Sequence, residues 1–167
     1  GKHDCNTATD EERMMLRLLN PIVKLYTAKQ AMSVISEGLE SFGGLGYIEE
    51  TGLPSGLRDA QVLPIWEGTT NVLSMDVLRV LMKTSGEALK LFETIVVKKL
   101  QTALLNERTR DVSERIINST KELIETVRQN PMVLEVAARD FSYSLARSYI
   151  GKLTLIRGRN FNLNESN

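Results

Sequence analysis

The sequence predicts an all-α fold, an antiparallel helical bundle, on three observations. No segment sustains the period-two alternation of a half-buried strand, whereas apolar residues recur at spacings of three and four along most of the chain. Aromatics make up only 5% of residues, while Leu, Ala, Glu, Lys, Met and Arg are plentiful, a composition that favours helix. Four or five long periodic runs are separated by breaks at Gly43, Ser85 and Gly86, and Asn130 and Pro131, as helices folded back on one another require.

The first run, Asp10 to Phe42, places Met14, Leu18, Ile22, Leu25, Ala28, Met32, Ile35 and Leu39 on one face. Thr9, followed by Asp10, Glu11 and Glu12, supplies a capping start, and Gly43 a stop. Pro21 removes a backbone donor and clashes one turn back, which predicts a break with restart near Asn20. After a loop at Gly52 to Gly56, Leu57 to Ile65 is long enough for about two helical turns. Thr69 to Lys83 carries Val72, Leu73, Val77, Leu78, Val80 and Leu81, with Thr69 or Thr70 placed to cap it. A fourth helix follows through Leu89, Phe92, Val96, Leu100, Ala103 and Leu104, and a fifth through Val112, Ile116, Leu123 and Val127. The sixth, Met132 to about Arg157, runs through Val136, Phe141, Leu145, Tyr149, Leu153 and Ile156. The six methionines, Met14, Met15, Met32, Met75, Met82 and Met132, are expected to fill the core. The polar leader is expected to fray, and residues 161–167 to form a disordered tail.

With 21 basic and 21 acidic side chains, no net field argues for nucleic acid or membrane as partner. The single cysteine, Cys5, excludes an internal disulfide framework, and no His, Cys or acidic pair stands at metal-ligand spacing, so no metal site is expected. No run reaches the roughly 18 apolar residues that span a bilayer, and the start lacks a signal-peptide pattern. Because the chain also lacks an initiator methionine, a fragment of a larger protein is one expectation. In the last helix Arg139, Arg147, Lys152, Arg157 and Arg159 face only Asp140, which reads as a solvated face, with a polyanion-binding patch as the alternative.

The stretch from Phe42 to Asn71 holds six of the eleven glycines, two of the four prolines and the only tryptophan. Such a concentration marks a shaped connection between helices, and long connections of this kind are often functional. Within it Glu67 follows Ile65 and Trp66 and precedes Gly68, Thr69 and Thr70 at the start of a helix. Taken alone, Glu67 is a carboxylate favoured by the helix dipole. Its neighbours allow a sharper reading: apolar flanks would partly desolvate it, as suits a general base, and Gly68 would let a ligand approach the backbone. Thr69 and Thr70 add hydroxyls and helix-terminal N–H donors for an electron-rich group. The GxGxxG fingerprint is absent and no strand precedes the glycines, so a Rossmann reading fails.

Three motifs in register, FGGLGY at Phe42 to Tyr47, LRDA at Leu57 to Ala60 and IWEGTTN at Ile65 to Asn71, resemble the C-terminal helical domain of the flavin-dependent acyl-CoA dehydrogenases. The likeness is strongest from about Ile22 to Leu81; beyond Lys83 the chain is similar to branches with an added C-terminal helical hairpin, including the alkylation-response flavoproteins. The resemblance implies FAD as cofactor in the full-length protein, an acyl-CoA thioester as substrate, and α,β-dehydrogenation as the reaction. It places Glu67 at the catalytic base, Gly68 and Trp66 at the substrate, and Thr69, Thr70 and Asn71 at FAD. It further places Glu40, Phe42, Gly43 and Gly44 against FAD bound mainly by a neighbouring subunit; the family has glutamine where this chain has Glu40, and a carboxylate there would repel phosphate. Arg58 and Asp59 are expected to brace the loop through charge-assisted hydrogen bonds.

The implied organisation is residues 1–84 as acyl-CoA dehydrogenase C-terminal-like helices with the FAD and substrate loop at 43–71, 85–160 as the helical extension, and the tail. The resemblance also implies a homo-oligomer, dimer or tetramer, and electron-transfer flavoprotein or a similar acceptor as electron partner. The fragment alone is expected to fold, to hold little FAD and to be inactive. Two other readings stand beside this one: a flavoprotein-derived module that binds nucleic acid or another polyanion through the last helix, and a purely structural oligomerisation domain. The sequence carries no address; the family suggests mitochondria in a eukaryote and cytoplasm in a bacterium.

Overall fold

The computed structural model describes residues 7–164, with side chains described as far as residue 155. The described residues form six α-helices: α1 (Asp10–Ser41), α2 (Leu53–Val62), α3 (Thr70–Lys83), α4 (Glu87–Ala103), α5 (Glu107–Gln129) and α6 (Val133–Asn164). Two short 3-10 turns, Gly43–Gly46 and Glu49–Thr51, link α1 to α2, and no strand occurs among the described residues. The fold is the all-α bundle that the periodicity predicts.

Helices α1 and α3 run antiparallel, as do α5 and α6. Lys24 of α1 meets the residues just before α3, whereas Arg17 shares a groove with Arg79 and Lys83 at the other end of that helix. In the same sense Thr120 of α5 bonds Ser148 of α6, while a Cβ at Gly151 would touch Ile116. A single apolar cluster joins Leu18 and Ile22 of α1, Val77 of α3, Phe92 and Val96 of α4, Ile124 of α5 and Leu145 of α6. The cluster ignores the sequence boundary near residue 85, because the helices on each side of it have only one apolar stripe and bury it against each other.

The start of α1 is the capping box its sequence announces: Thr9 Oγ1 accepts from Glu12 N at 3.2 Å and Glu12 Oε2 from Thr9 N at 3.0 Å. The break expected at Asn20 does not occur, and α1 passes through Pro21. Leu18, Ile22 and Leu25, all at most 1% exposed, lie on one stripe across the proline. Burying three such side chains is worth roughly 1.5–3 kcal/mol each, more than the ~3 kcal/mol that an interior proline costs. The segment read as a loop at Gly52 to Gly56 is instead the first turn of α2, which starts at Leu53 and ends at Val62, two residues before the end expected near Pro64. Gly52, at φ 72°, makes the sharp entry, and Pro54 sits in the first turn, where its missing N–H is no loss.

Other expectations are corrected by the packing. Of the methionines, Met15 is buried, but Met75 and Met82 are 47% and 78% exposed because they lie off the inward stripe of α3, and Met132, 64% exposed, sits in the turn before α6. In α6, Lys152 is not on a solvated face: it is 4% exposed, with its ammonium 3.6 Å from the centre of the Tyr149 ring. The helix continues to Asn164, into the stretch expected to be disordered. The rest of that tail and the leader up to residue 6, with His3 and Cys5, lie outside the described residues.

Candidate functional site

The glycine-rich connection is folded by local necessity. A Cβ on Gly46 would fall 2.0 Å from the carbonyl oxygen of Leu39, so this turn packs flat on the end of α1 only with glycine there. Arg58 of α2 reaches back to Glu49 with two hydrogen bonds of 3.0 and 3.2 Å, the brace expected of Arg58. That bond, and the charge behind it, hold the Glu49 carboxyl below its ordinary range.

From α2 the chain turns twice, with Ile65 N donating to Val62 O at 3.0 Å and Trp66 N to the same oxygen at 3.1 Å. Glu67 then adopts a left-handed backbone at φ 53°, and Gly68 follows at φ 110°. The Glu67 conformation is one that a residue with a Cβ resists. Lys24, reaching across from α1, opposes the strain: its Nζ donates to the carbonyl of Trp66 at 2.7 Å and to that of Gly68 at 2.6 Å. The carbonyls of the residues before and after Glu67 are thereby tied to one ammonium.

Thr69 occupies the N-cap of α3, but no side chain caps the helix and its first turn holds no acid. The dipole reading of Glu67 therefore has no capping bond behind it. The start of the helix borders a groove of about 200 Å³ lined by Lys29, Gln61, Pro64, Ile65, Thr69, Thr70, Asn71 and Arg139. Arg139 of α6 donates to Asn71 Oδ1 at 3.2 Å. Among the described residues no carboxylate lines the groove. An uncapped helix start, two cations, hydroxyls and an amide form a donor set for an anionic group.

The partial desolvation expected of Glu67 is not realised within this chain. Glu67 is exposed, and its flanking Ile65 and Trp66 are 56% and 55% exposed, because no element among the described residues covers this face. Glu40, Phe42, Gly43 and Gly44 are also exposed, and none of them lines the groove that holds Thr69, Thr70 and Asn71. The structure thus sets Trp66, Glu67 and Gly68, expected at the substrate, beside Thr69, Thr70 and Asn71, expected at the cofactor, and leaves the glycine turn outside their groove. A larger groove of about 730 Å³, basic through Arg13, Arg17, Arg79 and Lys83, lies between the far halves of α1 and α3 and contains none of the motif residues.

Two family models divide the chain between them. The acyl-CoA dehydrogenase C-terminal domain matches residues 4–82, and the acyl-CoA dehydrogenase 11 C-terminal domain-like model matches residues 87–158. The chain belongs to the acyl-CoA dehydrogenase family. Among relatives, acyl-CoA dehydrogenase family member 11 of Caenorhabditis elegans is 40% identical over 162 residues, covering 93% of this chain and 26% of its own length. The putative acyl-CoA dehydrogenase AidB of Escherichia coli is 32% identical over 82% of this chain and 25% of its own. A crystal structure of Caenorhabditis elegans ACDH-11 in complex with C11-CoA superposes with a TM-score of 0.85, at 40% identity, over 92% of this chain and 27% of that one. The chain therefore spans about a quarter of the length of the curated relatives it matches. The described residues include no helix long and apolar enough to cross a membrane, and no group of side chains placed to hold a metal ion.

Sequence reasoning missed Lys24, Lys29 and Gln61; it put Arg139 on a solvated face, where the structure has it exposed, but did not link it to Asn71. The two lysines lie beside the buried stripe of α1, a position any helical lysine can take. Only Arg139 carried a signal, the basic excess of the last helix.

Proposed function

We propose that this chain is the C-terminal part of an FAD-dependent acyl-CoA dehydrogenase that introduces an α,β double bond into an acyl-CoA thioester, with Glu67 as the base that removes the α-proton. The observation that carries this reading is the loop around Glu67, whose strained backbone is pinned on both sides by Lys24. Strain held in place by a dedicated contact is a feature of functional sites. Beside it, Gly68 leaves the backbone open to a thioester, and Trp66 offers an apolar wall. The remaining part of the full-length protein closes over Ile65, Trp66 and Glu67 and excludes water from them. FAD, when bound, supplies the acceptor for the β-hydride, and the donor groove at Thr69, Thr70 and Asn71 suits its phosphates.

The substrate class finds support in the C11-CoA held by the related ACDH-11 structure. The assembly is a homo-oligomer in which Glu40, Phe42, Gly43 and Gly44 face the flavin of a neighbouring subunit, and electrons leave through an electron-transfer flavoprotein or a similar acceptor. The isolated chain, bearing the base on an open face, retains little FAD and has no dehydrogenase activity. Glu67→Gln in the full-length protein tests the proposal: bound flavin is expected to remain while turnover falls about 10²- to 10⁴-fold, the range for losing a general base. Turnover within twofold of wild type would move the base to another helix.

A further inference from the structure

We infer that Arg139, in the segment matched by the second family model, is a positioning residue for the cofactor loop: it orients Asn71 and, with Lys29, makes the groove at the start of α3 a phosphate subsite. The inference rests on the flavin reading above and assigns to the C-terminal extension a direct part in it.

Three observations carry the argument. Arg139 Nη1 donates to Asn71 Oδ1 at 3.2 Å, across 68 residues of sequence. With Oδ1 engaged, the Asn71 amide presents Nδ2, a donor, to the groove. The guanidinium is steadied by the Tyr143 ring, 5.8 Å from its carbon, and Tyr143 packs in turn on Tyr26 of α1. The bend of α6 at Ala137, at φ −107° and ψ 19°, comes two residues before Arg139, so the arginine opens the straight part of the helix where it passes α3. The third observation is the lining itself: Lys29 and Arg139 line the groove at an uncapped helix start, and no carboxylate is among the described residues that line it. Two cations around donors are suited to the pyrophosphate of FAD or to the phosphates of CoA. The position next to Asn71, rather than next to Gly68, favours FAD.

The test uses the full-length protein, deflavinated and titrated with FAD by fluorescence, and separately with CoA. Arg139→Ala is expected to weaken FAD binding about three- to tenfold at low salt, the exposed arginine being partly screened by water. Arg139→Lys, which keeps the charge but loses the fork, should recover part of that loss, and the gap to wild type should shrink in 1 M salt. CoA affinity is expected to stay within twofold of wild type. Should Arg139→Ala misfold, Lys29→Ala leaves the Arg139 to Asn71 bond intact and is expected to weaken FAD by a similar factor. Wild-type FAD affinity in either folded variant, or a loss of CoA affinity with FAD affinity unchanged, overturns the inference. A wild-type protein with no affinity for FAD would overturn the flavin reading and this inference together, a result distinct from the others.

Discussion

Replacing Lys24 with methionine separates a pinned loop from one that merely happens to lie flat. The lysine makes two charge-assisted bonds of 2.7 and 2.6 Å to main-chain oxygens, one of them part-buried. A hydrogen bond to a charged group contributes about 1.5–3 kcal/mol, and some of that is recovered by water when exposed carbonyls are released. The combined loss should be about 2–4 kcal/mol, while methionine keeps the packing of the lysine stem. The left-handed Glu67, costing roughly 1–2 kcal/mol by itself, is then unopposed. Since each 1.4 kcal/mol is tenfold, the population of the opened loop should rise about 30- to 700-fold. Trp66 is the only tryptophan and sits next to Glu67, so its fluorescence reads the loop alone. Lys24→Met should lower its anisotropy and raise its quenching by acrylamide, with faster hydrogen exchange in the peptide spanning residues 63–73 and little change in far-UV circular dichroism. Unchanged anisotropy and exchange would mean that the backbone holds its own shape, and Lys24 would lose its place in the site.

Three further outcomes follow from single contacts. Gly46→Ala puts a Cβ 2.0 Å from a backbone oxygen that cannot rotate away, and should cost about 3 kcal/mol or more and lower Tm by roughly 6–12 °C; Gly44→Ala, with open space around it and an ordinary φ, should stay within about 0.5 kcal/mol of wild type in the same melts. Burial, and then the nearby charge of Lys99, lower the Lys152 pKa below 10.5, so just below that pH the unfolded state holds more protons and stability must rise with pH. Urea unfolding should therefore show wild type gaining stability as pH climbs towards 10.5, while Lys152→Met, more stable at pH 7 by about 1 kcal/mol after losing the ring contact, stays flat. Glu49 is shifted the other way: its contribution is present above 4.5 and disappears as pH falls through its lowered folded value, so exchange in residues 47–58 should accelerate there in wild type and show no such step in Arg58→Ala.

How much of the fold could be read beforehand is clearest in α5 and α6. The period of three and four located both helices, yet the inward residue of α5 is off by one: Val112 is 42% exposed while Ser113 beside it is fully buried. Small polar residues replace apolar ones on that face because the helices approach closely, with Thr120 bonded to Ser148 at 3.1 Å and Gly151 against Ile116. A seam built on serine, threonine and glycine has no hydrophobic signature, although Ser113 and Thr120 in it are as buried as any leucine. Val136, 91% exposed, fails for a related reason: it precedes the bend at Ala137, so the face it shares with Phe141 in a straight helix is not the face it shares in this one.

For the candidate site, the division falls between what is consecutive in the chain and what is brought together by folding. Trp66, Glu67, Gly68, Thr69, Thr70 and Asn71 are adjacent, so their chemistry was on view before any coordinates. Lys24 and Arg139 reach the same few residues from 42 to 68 positions away, through long side chains whose only requirement is a helix face near the loop. Such residues look like solubilising charge in a sequence, and Arg139 was read that way. Their place at the site also explains why the helical extension shares one core with the helices carrying the motif. If α6 served only to cover α3 and α4, its contribution could be purely apolar. The arginine bound to Asn71 gives the packing a direction, since a shift of one helical turn, about 5.4 Å, would keep an apolar contact but carry the guanidinium out of reach of the amide.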